Sequence, residues 1–98
     1  MTLHEVIKRV GDGDVPLIDE MLSAFNGNAD ATWNARMAIF GNMDAAIMFC
    51  NIYDLKWRAS YDNMGVVTMP DGQEIKVVSV TASHALVMAG MQAIAIGA

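Results

Sequence analysis

The stretch that decides the fold runs from Asn42 to Gly97. It begins NMDAAIMFCNIY (Asn42–Tyr53) and continues LKWRASY (Leu55–Tyr61), GVVTM (Gly65–Met69) and EIKVVSVT (Glu74–Thr81). It ends SHALVMAGMQAIAIG (Ser83–Gly97). In the second segment Leu55, Trp57, Ala59 and Tyr61 alternate with Lys56, Arg58 and Ser60, the period of a half-buried strand. Asp62-Asn63 reads as a hairpin turn. Pro70-Asp71-Gly72 is a second turn, with Pro fixing φ and Gly free to take φ > 0. Two hairpin connections make an antiparallel meander of three strands. The third strand alternates imperfectly: Ile75 and Val77 share one face, then Val78 and Val80 take the other. That predicts either cover on both faces or a bulge.

The flanking runs are helical. Asn42 is a good N-cap and Asp44 suits the first turn. Ala45, Ala46, Ile47, Met48, Phe49, Cys50 and Ile52 leave almost no polar face, so the helix is expected to be buried on more than one side. Ser83 is expected to cap the last helix, where Ala85, Ala89, Ala93 and Gly97 recur every four residues as a ridge of small side chains. The two flanking helices are expected to lie side by side on one sheet face. The N-terminal helices, or a second copy, would cover part of the other.

Upstream, Thr2 and Glu5 form a capping box for a helix bearing Leu3, Val6, Ile7 and Val10 on one face. Pro16 suits the first turn of a second helix, with Leu17, Ile18, Met21, Leu22 and Phe25 as its apolar stripe. Asp30 or Thr32 would cap a third, short helix carrying Trp33, Met37 and Phe40 on one face, with a loop containing a single helical turn as the alternative. The chain thus predicts an α+β fold in one domain, residues 1–98. Residues 1–41 form its helical part, and 42–98 form an α-β-β-β-α unit.

Ninety-eight residues suffice for one domain but give it a small core. The composition is 54% hydrophobic and only 17% charged, which excludes intrinsic disorder and points to burial shared with another subunit. A homo-oligomer is therefore expected, with Met43, Ile47, Ala85, Ala89 and Ala93 as candidate contact residues. The net charge of −5 divides into about −3 over residues 1–41 and −2 over 42–98. Neither half has the basic footprint of direct nucleic-acid binding. An acidic surface suits a basic protein partner. The first residues lack the apolar core of a signal peptide, and the 14 residues from Ala85 to Ala98 fall short of the roughly 20 that span a bilayer. A cytoplasmic protein with no membrane partner is expected. The single cysteine, Cys50, fits a reducing compartment.

No catalytic or metal signature stands out, and neither an enzyme nor a cofactor is expected. His4-Glu5 begins like a zinc-protease helix, but Lys8 stands where the second histidine belongs. Gly11-Asp12-Gly13-Asp14 would repel phosphate and lacks the further ligands of a calcium loop. His84 at a helix start reads as a solvated first-turn residue. Lys56, Arg58 and Lys76 fall on one sheet face, with Trp57 and Tyr61 on the other. If open, that face is a candidate anion site, for which a cross-strand pair with Glu74 is the plainer alternative.

The stretch from Asn42 to Ala95 resembles a family of small bacteriophage proteins, the phage "ABA sandwich" type. The resemblance rests on Asn42-Met43-Asp44-Ala45-Ala46, on the Lys56-Trp57-Arg58 strand, on the valine-rich hairpin and on Thr81-Ala82-Ser83-His84-Ala85-Leu86. Ala82 and Ser83 depart from the Pro and Ala usual there. The upstream Leu17-Ile18-Asp19-Glu20-Met21-Leu22 helix also resembles the family's N-terminal helix. The resemblance implies a phage or prophage origin and a layered α/β arrangement, and carries over no catalytic residue. With the small size and acidity it leads to one expectation: a viral accessory protein that binds a host protein in the host cytoplasm and inhibits an antiviral defence system. Sequestration of an anionic small molecule or signalling nucleotide is the alternative, and a phage structural or assembly role a further one.

Overall fold

The computed structural model describes residues 1–60 and 62–97. Among these residues five helices, α1 (Leu3–Gly11), α2 (Ile18–Ala24), α3 (Ala29–Ile39), α4 (Met43–Ile52) and α5 (Ala82–Ile96), accompany three strands, β1 (Lys56–Ser60), β2 (Met64–Thr68) and β3 (Glu74–Val78). The sheet is the expected antiparallel meander in the order β1-β2-β3. The fold is α+β.

Each helix starts where a side chain or backbone group can satisfy its free N–H donors. Thr2 and Glu5 close the capping box of α1, and Asn42 accepts from the Ala45 N–H at 3.0 Å. Elsewhere the caps differ from those expected. Asn28 caps α3, displacing Asp30 and Thr32, because it ends the tight Asn26-Gly27 turn with its side chain free to reach Ala31. Thr81 caps α5 by accepting from the His84 N–H, and Ser83 lies inside the first turn. Pro16 precedes α2, and the Glu20 carboxylate caps the Leu17 N–H at 3.0 Å. Arg9 ties this start to α1, reaching Asp14 at 2.7 Å and Glu20 at 3.0 Å.

Helix α5 is the centre of the molecule. Every residue from Ser83 to Met91 is buried, because the sheet lies on one side and α1, α3 and α4 on others. A helix apolar nearly all round is stable when its neighbours cover it on several sides. The pairing register puts Trp57, Val67 and Ile75 in one row and Ala59, Gly65 and Val77 in the next, on the face that meets α5. Gly65 lies directly against the Ala85–Leu86 peptide, so helix and strand approach at backbone distance.

The layering differs from expectation in two ways. α4 does not lie beside α5 flat on the sheet; it packs chiefly on α3 and α5 and meets the sheet chiefly at β1. The N-terminal helices extend the helical side instead of covering the second sheet face, where Lys56, Arg58, Glu74, Lys76 and Val78 are exposed. The irregular end of the third strand has a simple cause. β3 stops at Val78 without a bulge, and Val78 and Val80 lie largely in solvent.

The alanine ridge is internal. Ala85, Ala89 and Ala93 are fully buried, and their spacing puts Ala89 and Ala93 on the side of α5 that Gly65 meets. Ala89→Leu is therefore expected to overpack the helix–sheet contact and destabilise the fold by roughly 1–3 kcal/mol. A urea melt indistinguishable from wild type would show that the contact yields freely.

Candidate functional site

Two surfaces carry chemistry or unpartnered apolar area: the open sheet face and the outer side of α2 and α3. On the sheet face, alternation places Lys56, Arg58 and Lys76 together as expected, and Trp57 on the opposite face. Tyr61, assigned with Trp57, lies outside the described residues. Arg58 and Lys76 flank Val66 in one row; Lys56, Thr68 and Glu74 make the next. The Arg58 guanidinium crosses the middle strand to the Glu74 carboxylate, at 2.6 and 3.5 Å. Its stem thereby shields Val66, fully buried on a face no helix covers. That pair holds the Glu74 carboxyl below its ordinary range.

The three cations therefore do not converge on an empty site. An anion at Arg58 would first have to displace Glu74. Lys56 borders a different place, a cavity of about 550 Å³ at the sheet's end, lined also by Tyr53, Asp54, Leu55, Thr68 and Met69. The Asp54 carboxylate in that lining opposes an anion.

The histidines and the cysteine have structural settings. His84 is nearly buried, its Nδ1 2.6 Å from the Ser79 Oγ, and burial lowers its pKa. It is not the solvated residue the sequence suggested, because the loop after β3 folds back over the first turn of α5. Burial pushes the Cys50 thiol up to about 12, so the reactive thiolate is scarce at neutral pH. Cys50 is expected to resist Ellman's reagent in mildly alkaline buffer and to react fully once guanidinium unfolds the chain. Rapid reaction of the folded protein would contradict its placement. Among the described residues, no three His, Cys, Asp or Glu side chains gather as a metal site requires, and no helix is long and apolar enough to cross a membrane.

The second surface is built by α3 turning its small residues inward. Ala31, Thr32, Ala35 and Ala38 are buried, packing closely on α4, whose own inner face begins with Ala45 and Ala46. The opposite side of α3 must then carry the bulk: Trp33 is 59% and Phe40 65% exposed. On α2 the stripe splits. Met21 and Phe25 are buried, while Leu17 is 68% and Ile18 43% exposed. Ile18, Leu22, Ala29, Asp30, Thr32 and Trp33 line a cleft of about 310 Å³ between the two helices. Arg36 joins its parts: its guanidinium donates to the Pro16 carbonyl and lies 5.9 Å from the Phe40 ring centroid.

Sequence reasoning missed this surface by treating Leu17, Ile18, Met21, Leu22 and Phe25, and likewise Trp33, Met37 and Phe40, as one undivided apolar face each. The signal that could have found it is the Ala31, Ala35, Ala38 spacing, a small-residue face that competes with Trp33 and Phe40 for the interior. Of the expected contact residues, Met43 and Ile47 are half-buried and border the core. Ala85, Ala89 and Ala93 offer no surface to a second copy, since all three are fully buried within the single chain.

No family model, curated protein or solved structure matches this chain.

Proposed function

We propose that this chain is a non-enzymatic viral accessory protein that binds a host protein stoichiometrically in the host cytoplasm and thereby inhibits an antiviral defence system. The carrying observation is the α2–α3 surface, where Leu17, Ile18, Trp33 and Phe40 are exposed and Ile18 and Trp33 line a cleft. Exposed clusters of large apolar and aromatic residues mark protein interaction sites, and Trp is enriched among residues that dominate binding energy. The phage origin rests on the resemblance of the Asn42–Ala95 stretch. Anion sequestration is less well supported, because Glu74 already occupies Arg58.

Tagged protein captured from phage-infected bacterial lysate tests the reading. One host protein at a fixed ratio is expected with the wild-type chain. Trp33→Glu is expected to lose it while keeping a native thermal melt, since the side chain contributes little to the core. Capture unaffected by Trp33→Glu would overturn the assignment of the surface. Sedimentation of the purified chain checks the competing occupant, a second copy.

A further inference from the structure

The rim of the α2–α3 cleft is acidic, and this selects a partner. Helical geometry sets Asp19 next to Leu22 on the outward side of α2, and Asp30 next to Trp33 on the outward side of α3. Both are exposed, and Asp30 borders the cleft itself. Neither takes part in an ion pair among the described residues, whereas Asp14 and Glu20 share the Arg9 guanidinium. Arg36 keeps its charge but is held at the Pro16 carbonyl and the Phe40 ring, with no ion pair to Asp19 or Asp30 among the described residues. Residues 1–41 carry six carboxylates against three Lys or Arg.

We infer that the occupant of the cleft is an amphipathic helix with Lys or Arg beside its apolar stripe, a reading that rests on the proposed binding role of this surface. The cleft runs between two helices, and α2 has seven residues, about 10 Å of axis. That length seats two helical turns, so two apolar anchors at i and i+3 or i+4 would fill the space between Ile18, Leu22 and Trp33. Basic residues flanking those anchors meet Asp19 and Asp30. A second copy of the chain fits poorly, because its own cleft would bring the same carboxylates against each other. Complementary rim charge governs partner choice and association rate more than raw affinity. The acid pair is thus the specificity element and the apolar cleft the anchor.

Fluorescence anisotropy with three labelled helical peptides of about four turns tests this. One has a leucine stripe flanked by lysines, one the same stripe flanked by glutamates, and one lysines with serines in place of the leucines. The lysine–leucine peptide is expected to bind at least about tenfold tighter than either other. Asp19→Lys combined with Asp30→Lys should reverse the preference towards the glutamate–leucine peptide. Trp33→Glu should abolish binding of both leucine peptides. All these positions are exposed, and a thermal melt of each variant verifies folding. Equal binding of the lysine and glutamate peptides, or a preference that survives the charge reversal, overturns the inference. If a captured host protein still depends on Trp33 but tolerates the double reversal, the binding surface stands and the basic helix does not. If capture ignores both, the functional reading fails as well.

Discussion

Gly65→Ala is expected to be among the most damaging single-methyl additions in this chain. A Cβ at that position would overlap the Leu86 N and Cα and stand 2.7 Å from the Ala85 carbonyl carbon. These are backbone atoms of α5, and no rotamer change can move them aside. Either β2 shifts in a sheet paired on both its edges, or α5 lifts from the sheet. Lifting α5 would open its contact with Val67, Ile75 and Val77, which belong to or border the core. Overpacking usually costs about 1–3 kcal/mol; with a rigid neighbour the expected loss lies at or above the upper end. Denaturant unfolding measures it, and a loss under about 1 kcal/mol would mean that helix and sheet separate easily. Gly72→Ala, at a positive φ of 89° in an open turn with nothing near its Cβ position, provides a contrast. It adds the same methyl with local backbone strain but no collision.

Phe49→Ala is expected to cost about 3–5 kcal/mol. Phe49 is fully buried and joins three helices. Its ring meets Phe25 edge-on at 5.5 Å between centroids, and Tyr53 lies at 5.3 Å. It also lies over Gly90, where an added Cβ would come within 3.1 Å of the ring edge. Removing the ring leaves a cavity bounded by α2, α4 and α5, which three packed helices cannot close together. At about 4–8 °C per kcal/mol for a domain of this size, thermal unfolding should fall by more than ten degrees. A drop of only a few degrees would show that the helices collapse into the space. Because typical domains are stable by only about 5–15 kcal/mol, either substitution removes a large share of the total.

Much of this architecture is determined by the sequence alone, through local chemistry. The period-two alternation of Leu55–Ser60, the Pro70-Asp71-Gly72 turn and the Thr2–Glu5 and Asn42 caps depend on near neighbours. The meander, its register-derived faces and the helix starts at Leu3 and Met43 follow from them. The same alternation correctly put Lys56, Arg58 and Lys76 on one face, because residues two apart in a strand must share a side.

The tertiary structure decided what local pattern leaves degenerate. A helix such as α3 has two faces that could be buried, one lined by Ala31, Ala35 and Ala38 and the other by Trp33 and Phe40. The larger side chains promise more apolar burial, but the small ones permit the close approach that α4, with Ala45 and Ala46, can match. Which face wins depends on the neighbour, and the pattern within α3 does not specify how that neighbour docks. Likewise the Ala85, Ala89, Ala93 ridge specifies a close contact without naming its partner. The glycine at position 65 on β2, twenty residues earlier, made that partner the sheet and not a second subunit. Arg58 shows the same limit in charge: alternation assigned its side of the sheet, but only the tertiary fold stretched it across β2 to Glu74.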